Sequence, residues 1–443
     1  MQNLLIIGAG RSSTALINYI LEQARQHNFF ITVADADIEL ARGKINGHPK
    51  GRAIWLDASK VNDRREVINR HDVVVSMLPP QMHLEVAQDC ITLGKHMVTA
   101  SYVSKQVYRL GDEARQRALV FMNELGLDPG IDHMSAMQQI HRIKSMGGKI
   151  TAFHSYTGGL VAPESDNNPW HYKFSWNPRN VVLAGQGTAQ FLEDNKLKYI
   201  PYRRLFRQYR LVDIPNMGTY EVYANRDSML YRDAYGLQDI RSLFRGTIRN
   251  RGFCDAWNAL VRIGLTDATF PIVNSDQLSY HDLMEAFLGI SQHTGSVKDR
   301  MAKMIEVDPE GEVMKKLEWL GLFSKRRIKV KDATPALILE NLLLEKWALK
   351  PDEKDMVIMQ HVFEYEINRK KKKLTSTLVM EGLNGIETAM SRLVGLPLGI
   401  FVKQLMLGKI STTGVNIPTM PEVYEPVMAE LAEHGVRFIE EEN

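Results

Sequence analysis

The stretch "NLLIIGAGRSSTALINYILEQA", residues 3–24, decides the fold of the first part of the chain. The apolar run at residues 4–7 is typical of a buried strand, and "TALINYILEQA" carries apolar residues at helical spacing. Between them Gly8 and Gly10 open a GxGxxG-like loop, with Ser13 in the third, most tolerant place. The first glycine permits a tight turn, and the second lets a pyrophosphate meet backbone N–H groups at the helix N-terminus. Taken alone, the motif fits a simple strand-to-helix turn equally well.

The sequence that follows repeats the strand-then-helix order. Five further apolar segments predict strands, with helical patterns between them: "FFITVAD", "AIWLDAS", "DVVVSMLPP", "HMVTASYVS" and "ALVFMNELG". Repeated βα units are the signature of a doubly wound parallel sheet, in which ligands bind beyond the carboxyl ends of the strands. The context therefore predicts an α/β dinucleotide-binding domain.

The end of the second predicted strand bears on the choice of dinucleotide. Asp35 stands where an acid accepts hydrogen bonds from the adenosine ribose hydroxyls. A carboxylate there repels a 2′-phosphate, and Ala36 supplies no arginine to hold one. We therefore expect NAD to be favoured over NADP, although Arg11 or Arg42 leaves NADP open.

Composition excludes several classes of protein. The 443 residues are too many for one core, and 55 Lys and Arg against 52 Asp and Glu leave a net charge of +3. That balance argues against a nucleic-acid or membrane-surface partner. Two cysteines make neither a disulfide framework nor a zinc site, so we expect no metal and a cytoplasmic location. We find no signal peptide and no apolar run long enough to span a membrane.

The remaining chain changes character several times. Residues 131–253 and 351–384 alternate like sheet strands, and residues 254–350 carry amphipathic helical patterns. We expect a mixed α/β domain, discontinuous in sequence, with a helical insertion. The first domain is expected to cover residues 1–130, and the closing helices of residues 385–443 are expected to pack back on it. The aromatic-rich "SDNNPWHYKFSW" is predicted to be an irregular surface loop with some hydrophobic anchoring, the alternative being a wall of the active site.

Two short stretches suggest ligand contacts. In "RGTIR", Arg245, Thr247 and Arg249 fall at strand spacing on one face, and aligned guanidinium groups suit carboxylate recognition. In "MNELGLDPGIDHM", residues 122–134, we expect Asp128 to cap the next helix with Pro129 at its first position. Because this turn leads out of the nucleotide domain, its aspartate can face both ligands.

Several motifs together resemble saccharopine dehydrogenase of the glutamate-forming type, also called saccharopine reductase. They are "TASYVS", "MNELGLDPGIDHM", "GGLVAPESDNNPWHYKFSW", "YANRDS", "FRGTIRNRGF" and "SRLVGLPLGIFVKQLMLG". The resemblance covers nearly the whole chain. It implies a Rossmann domain, a substrate domain that also forms a homodimer, and a helical domain inserted in it. It also implies NAD(P)-dependent conversion of saccharopine and water into glutamate and 2-aminoadipate 6-semialdehyde, or the reverse.

The resemblance also implies contacts for each ligand. The predicted substrate contacts are Ser101, Tyr102, Asp128, Arg226, Thr247, Ile248 and Arg249. The resemblance and the positions of predicted strand ends together give the predicted cofactor contacts. They are Gly8, Gly10, Arg11, Ser12, Ser13, Asp35, Asp57, Ser76, Asp128, Pro129 and Gly130. The chain departs from the family twice: fungal members carry a basic residue where this chain has "ADAD", and a cysteine where it has Thr157.

The chemistry agrees with these residues. Saccharopine carries three carboxylates, and Arg226, Arg249 and Asp128 supply the cations and the anion that such a ligand needs. Imine hydrolysis requires a proton shuttle, for which Tyr102 and Asp128 are the candidates, with His133 equally explained by a helix-start role. The alternatives are a carboxynorspermidine dehydrogenase or homospermidine synthase acting on polyamines, and a non-catalytic NAD-binding protein on the same fold. Cation-rich polyamines would call for more acids than arginines.

Overall fold

The computed structural model describes residues 2–288 and 294–443. Its strands are β1 (Gln2–Ile7), β2 (Phe29–Asp35), β3 (Gly51–Trp55), β4 (Val73–Ser76), β5 (His96–Val98), β6 (Val120–Met122), β7 (Lys149–Val161), β8 (Ala189–Glu193), β9 (Lys196–Ile200), β10 (Arg210–Ile214), β11 (Gly218–Ala224), β12 (Ser242–Arg249), β13 (Asp355–Ile367), β14 (Lys370–Glu381), β15 (Gly414–Asn416) and β16 (Ile439–Glu442).

Its α-helices are α1 (Thr14–Gln26), α2 (Ile38–Ile45), α3 (Val61–Asn69), α4 (His83–Leu93), α5 (Lys105–Tyr108), α6 (Gly111–Gln116), α7 (Ile131–Ser145), α8 (Pro178–Val182), α9 (Tyr202–Leu205), α10 (Leu230–Ala234), α11 (Phe253–Ile263), α12 (Tyr280–Phe287), α13 (Val297–Met304), α14 (Glu312–Leu320), α15 (Pro335–Lys346), α16 (Ala389–Met406) and α17 (Pro421–Glu433).

The chain forms two compact units. The first unit consists of Met1–Ile150, Glu366–Lys370 and Met380–Ile439, and the second consists of Thr151–Tyr365, Lys371–Val379 and Glu440–Asn443. Thus α7, which was assigned to the substrate domain from sequence, belongs to the first unit. The helices between residues 253 and 346 fall in the same unit as the strands that flank them.

A seven-stranded parallel sheet organises the first unit. Its order is β15-β6-β5-β4-β1-β2-β3, and the pairs on either side of β1 are both parallel. The strand order reverses between β1 and β4, the place where doubly wound sheets bind ligands. This confirms the predicted doubly wound α/β fold. β3 is shorter than predicted, because it ends at Trp55 and Asp57 lies in the turn beyond it.

The end of the chain also contributes to the first unit. The hydroxyl of Ser391 in α16 accepts a hydrogen bond from the backbone N–H of Ala15 at 3.3 Å. A side chain on Gly395 would bring its Cβ within 2.5 Å of the backbone nitrogen of Leu16, so glycine allows α16 to lie close to α1. Strand β15 pairs with β6 at the edge of the sheet. With three residues, it is too short to show a period in sequence.

A mixed nine-stranded sheet and its helices form the second unit. Its main path is β10-β11-β12-β7-β13-β14-β16, with β12 parallel to β7 and antiparallel to β11. Strands and helices α11–α15 share one hydrophobic core. The segment "SDNNPWHYKFSW" is largely irregular, as predicted, but its hydrophobic anchoring is more extensive than expected, because Trp170, Tyr172 and Phe174 are fully buried against Trp347. Their partner comes from α15 and its end, far away in sequence.

Candidate active site

The glycine loop connects β1 to α1 and packs against Met77, the residue after β4. Gly8 has φ of +109°, and a Cβ on it would lie 2.9 Å from the carbonyl oxygen of Met77, so only glycine fits there. Gly10 is exposed, with open space where a Cβ would stand. Arg11, Ser12 and Ser13 then form a 3-10 turn that leads into α1. The loop therefore has the open backbone surface that a dinucleotide pyrophosphate requires.

Two carboxylates stand at the carboxyl end of β2. Asp35 accepts hydrogen bonds from the backbone N–H of Ala9 at 2.6 Å and from that of Asp37 at 2.8 Å, one to each oxygen. Asp37 in turn caps α2 by accepting from the backbone N–H of Glu39 at 3.0 Å. The guanidinium of Arg42 is paired with Glu39 at 2.6 Å. The local charge at this strand end is negative, as expected from sequence.

Asp57, the third predicted strand-end acid, has a local partner. Its carboxylate accepts from both the backbone N–H and the hydroxyl of Ser59, at 3.1 and 2.6 Å. These two bonds lower the pKa of Asp57. Its carboxylate thus closes an Asx turn after β3, and its contact with a cofactor stays a prediction.

A hydroxyl–imidazole–hydroxyl chain lies beyond the end of β4. His83, the first residue of α4, is hydrogen-bonded through Nδ1 to the hydroxyl of Ser76 at 2.9 Å and through Nε2 to that of Ser101 at 2.8 Å. Burial lowers the pKa of His83 to about 4. The two serines were predicted from sequence, but His83 was not. Its signal was a histidine opening a helix just after the strand end "SMLPP".

Tyr102 and Asp128 meet directly. The phenol of Tyr102 donates to Oδ1 of Asp128 at 3.0 Å, and both side chains are half-buried. The peptide bond between Asp128 and Pro129 is cis, and α7 begins only at Ile131, with Gly130 as its N-cap. The prediction that Asp128 caps this helix was therefore wrong, because the helix begins too late for it. The structure brings together the two residues that were expected to move a proton.

A buried acid–histidine pair lies next to that turn. The Nε2 atom of His133 donates to Oε2 of Glu124 at 2.8 Å, and Oε1 of Glu124 accepts from the backbone N–H of Val103 at 3.0 Å. Asp132 accepts from the backbone N–H of Gly130 at 2.6 Å, as a structural residue would. Glu124 was missed from sequence although it lies inside "MNELGLDPGIDHM". It ties the loop carrying Tyr102 to the start of α7.

The predicted substrate residues of the second unit differ in exposure. Arg226 is exposed on the turn after β11, with φ of +49°, and its carbonyl accepts from the backbone N–H of Gln190 at 2.9 Å. Thr247 is half-buried and lies between Tyr223 and Thr157 in the sheet. Ile248 is fully buried. Arg226 and Thr247 therefore have the more accessible side chains.

Arg245 and Arg249 share a face of β12, but aromatic rings surround them. The guanidinium of Arg249 is 5.1 Å from the ring centre of Tyr172 and 5.3 Å from that of Phe253, and only 3% of the residue is exposed. The guanidinium of Arg245 is 4.2 Å from the ring centre of Tyr231. The Nε atom of Arg249 has no hydrogen-bond partner among the described residues. A role for Arg249 in carboxylate binding stays a prediction.

The hydroxyl of Thr157 occupies the position of the family cysteine. It is buried and, within residues 2–288 and 294–443, forms no hydrogen bond. The two cysteines are buried elsewhere, with pKa values raised by burial, so neither is a reactive thiolate.

No cluster of three or more His, Cys, Asp or Glu residues suited to a metal ion occurs in the described part of the chain. None of the described helices is long and apolar enough to cross a membrane.

Comparisons with known proteins agree on one family. A domain model described as the saccharopine dehydrogenase NADP binding domain matches residues 4–122, and one described as the saccharopine dehydrogenase C-terminal domain matches residues 126–436. The chain is 33% identical over its whole length to saccharopine dehydrogenase (NADP+, L-glutamate-forming) of Schizosaccharomyces pombe, of which it covers 99%. Over 98% of its length it is 32% identical to α-aminoadipic semialdehyde synthase of Arabidopsis thaliana, and it covers 44% of that longer protein.

Two solved structures are similar to the chain. The apo saccharopine dehydrogenase (L-Glu forming) of Saccharomyces cerevisiae has a TM-score of 0.89 and 31% identity, with all of both chains covered. The homospermidine synthase of Legionella pneumophila has a TM-score of 0.57 and 11% identity, with all of this chain and 91% of that one covered. The second likeness concerns the fold alone.

Proposed function

Because the chain belongs to the saccharopine dehydrogenase family, we propose that it interconverts saccharopine with glutamate and 2-aminoadipate 6-semialdehyde, using a nicotinamide cofactor. One observation carries the proposal: the family's two domain models match residues 4–122 and 126–436, so both the NADP binding domain and the C-terminal domain of the family are present. The polyamine-enzyme alternative has support only from a shared fold at 11% identity.

The proposed reaction needs orientation more than covalent help. A nicotinamide cofactor held by the loop from Gly8 to Ser13 would supply the acceptor for the hydride that leaves the methylene carbon beside the secondary amine of saccharopine. The amine then loses its proton to give an imine, and water adds to the imine carbon and releases glutamate and the semialdehyde. Holding the reactants in line supplies on the order of 7–11 kcal/mol in well-aligned systems. We assign this orientation to Ser101 and Asp128 of the first unit, and the contacts of Arg226 and of Thr247 with saccharopine stay separate predictions.

The Tyr102–Asp128 pair supplies the proton transfer in this proposal. The two side chains share a hydrogen bond of 3.0 Å and are half-buried, so they remain within reach of a ligand. The carboxylate attracts the ammonium or the developing positive charge of the imine, and the phenol can pass a proton to or from the attacking water. Glu124 holds the loop that carries Tyr102 by accepting a hydrogen bond from the backbone N–H of Val103.

The test follows the oxidation of NADH and of NADPH spectroscopically, with glutamate plus 2-aminoadipate 6-semialdehyde as substrates. We expect turnover with this pair and none with a diamine plus aspartate semialdehyde. Turnover of only the polyamine precursors would replace the proposed function by the polyamine alternative. Absence of turnover with both pairs, in a protein that still binds a dinucleotide, would favour a non-catalytic role.

For the dinucleotide, we propose NAD(H) as the better cofactor of this chain. The name of the fission-yeast relative and the description of the matched domain support NADP(H), and the comparisons give the NAD preference no support. The proposal rests on geometry: Asp35 and Asp37 place two carboxylates at the end of β2, and Arg42 is already paired with Glu39. A 2′-phosphate at this strand end would meet repulsion.

The two cofactors are compared by kcat/KM at a fixed concentration of the carbonyl and amine substrates. We expect kcat/KM to be higher with NADH than with NADPH. In Asp35→Asn, we expect the ratio of the two kcat/KM values to fall about tenfold, which corresponds to about 1.4 kcal/mol. A wild-type preference for NADPH would overturn the cofactor assignment without affecting the reaction assignment.

A further inference from the structure

His83 joins two serine hydroxyls at the strand ends of the first unit. It is 4% exposed, and each ring nitrogen is hydrogen-bonded to a serine hydroxyl, Ser76 at 2.9 Å and Ser101 at 2.8 Å. Ser76 is fully buried at the end of β4, whereas Ser101 is half-buried. Of the two hydroxyls, therefore, that of Ser101 is the one a ligand can reach.

A second connection holds the backbone of the same loop. The hydroxyl of Thr99 donates to the carbonyl of Ser76 at 2.8 Å and accepts from the backbone N–H of Ser101 at 3.2 Å. The carbonyl of Ser101 also accepts from the backbone N–H of Glu124 at 3.0 Å. Because these bonds fix the main chain, the imidazole of His83 is left to fix the direction of the serine hydroxyl.

A neutral imidazole has one N–H donor and one acceptor nitrogen. Burial lowers the pKa of His83 to about 4, so the ring is neutral near pH 7. If the hydroxyl of Ser76 donates to Nδ1, then Nε2 carries the proton and donates to the oxygen of Ser101. The hydroxyl proton of Ser101 is then free to point at a ligand carboxylate. In the opposite tautomer, with the proton on Nδ1, the hydroxyl of Ser101 would donate its proton to Nε2 and could not donate it to a ligand.

We propose that His83 is a positioning residue that makes Ser101 a hydrogen-bond donor to a carboxylate of the substrate. This inference rests on the proposed function, since it takes the substrate to be an amino-acid adduct rich in carboxylates. Ser76 acts one step further away, because its hydroxyl selects the tautomer by donating to Nδ1. The three side chains form one unit in which only the last hydroxyl touches the ligand.

Two amide substitutions separate the ring nitrogens. The amide of His83→Gln reaches the position of Nε2 and can still donate to Ser101, whereas the shorter His83→Asn reaches only the position of Nδ1 and retains Ser76. We expect the KM for saccharopine to stay within about threefold of wild type in His83→Gln and to rise at least tenfold in His83→Asn. Equal KM values in the two variants would overturn the proposal.

The dependence on Ser101 is tested in a double-mutant cycle. In a Ser101→Ala background, we expect His83→Asn to raise the KM for saccharopine by less than twofold, since the hydroxyl that it directs is gone. The same tenfold effect in that background would show that His83 acts elsewhere and would overturn the proposal.

Ser76→Ala provides a test that leaves the ring in place. We expect a rise of about threefold in the KM for saccharopine, because the imidazole is then free to change tautomer. An unchanged KM would contradict the role given to Ser76. This variant removes one oxygen atom, so it keeps the proposal testable if the His83 variants do not fold.

His71 is the matched control. It is also buried in the first unit and bridges two groups, the hydroxyl of Thr32 at 2.8 Å and the carbonyl of Val67 at 2.7 Å, but it precedes β4 instead of following it. We expect His71→Gln and His71→Asn to lower stability with equal KM values for saccharopine. An inactive wild type would refute the proposed function, whereas an active wild type without the Gln–Asn difference would refute only this inference.

Discussion

The strand ends of the first unit and strand β12 of the second hold their polar side chains in opposite ways. At the first unit's strand ends, Ser101, Tyr102 and Asp128 are half-buried and hydrogen-bonded to neighbouring side chains. On β12, the guanidinium groups of Arg245 and Arg249 are almost fully buried against aromatic rings.

The difference separates two kinds of contribution. A cation enclosed by rings gains from cation–π contacts and from the packing of its long side chain, so its removal is felt in the folded state itself. When a half-buried hydroxyl or carboxylate is removed, water and neighbouring groups can take its place in the folded protein. Its removal therefore lowers the affinity for a ligand more than it lowers stability. Residues that the sequence assigns to one ligand site can therefore contribute differently, some to the stability of the fold and others to ligand binding.

The largest expected effect is on stability, at Arg249. We expect Arg249→Ala to lower the free energy of unfolding by about 3 kcal/mol, because it leaves a cavity among Tyr172, Tyr223 and Phe253 and removes the cation–π contacts. Urea denaturation followed by tryptophan fluorescence measures this, since Trp170 and Trp257 lie in the same core.

Arg226→Ala is the matched control, because this arginine is exposed. We expect its free energy of unfolding to stay within about 0.5 kcal/mol of wild type, while kcat/KM for saccharopine falls at least tenfold. If the Arg249 variant were as stable as wild type and the Arg226 variant fully active, the distinction between enclosed and accessible polar side chains would fail.

The next effect is on catalysis, at Asp128. We expect Asp128→Asn to lower kcat/KM for saccharopine about 100-fold, which is about 2.7 kcal/mol, because the amide keeps the shape of the side chain without its charge. Steady-state kinetics in the direction of saccharopine oxidation give the value. Tyr102→Phe is the companion variant and should lower kcat more than it raises KM if the phenol moves a proton. Wild-type kinetics in both would remove the pair from the site.

The two regions differ, for a physical reason, in how much of their structure could be predicted from the sequence. In a parallel sheet the carboxyl ends of strands share an edge, so residues that follow predicted strands can be placed together without knowing their contacts. This is why Asp35 and Ser76 were correctly placed at strand ends from sequence, whereas the helix-capping position predicted for Asp128 was wrong. The partners Glu124 and His83 were missed, since a hydrogen bond between side chains leaves no periodic signal.

On β12 the sequence predicted the shared face but not what covers it. Alternation along a strand fixes which side chains point the same way, and Arg245 and Arg249 do so. Their burial depends on Tyr172, Tyr231 and Phe253, which lie elsewhere in sequence. Strand β15 was missed for a related reason, since its three residues become a strand only beside β6.

The smallest effect is on the pH dependence of stability, to which each unit contributes a neutral histidine, the buried His83 and the half-buried His154. Burial is the main cause that lowers the pKa of His83 and of His154 to about 4, and Arg210 and Lys373 add to it at His154. The unfolded chain takes up these protons first as the pH falls, so stability is complete above about pH 6.5 and is lost toward pH 4. We expect each histidine to account for a loss of roughly 2 kcal/mol in the free energy of unfolding between about pH 7.5 and pH 5.

Urea denaturation of wild type, His83→Gln and His154→Gln at both pH values measures this loss. Each variant should lose stability less steeply than wild type, and parallel losses in all three would show that other groups govern acid stability.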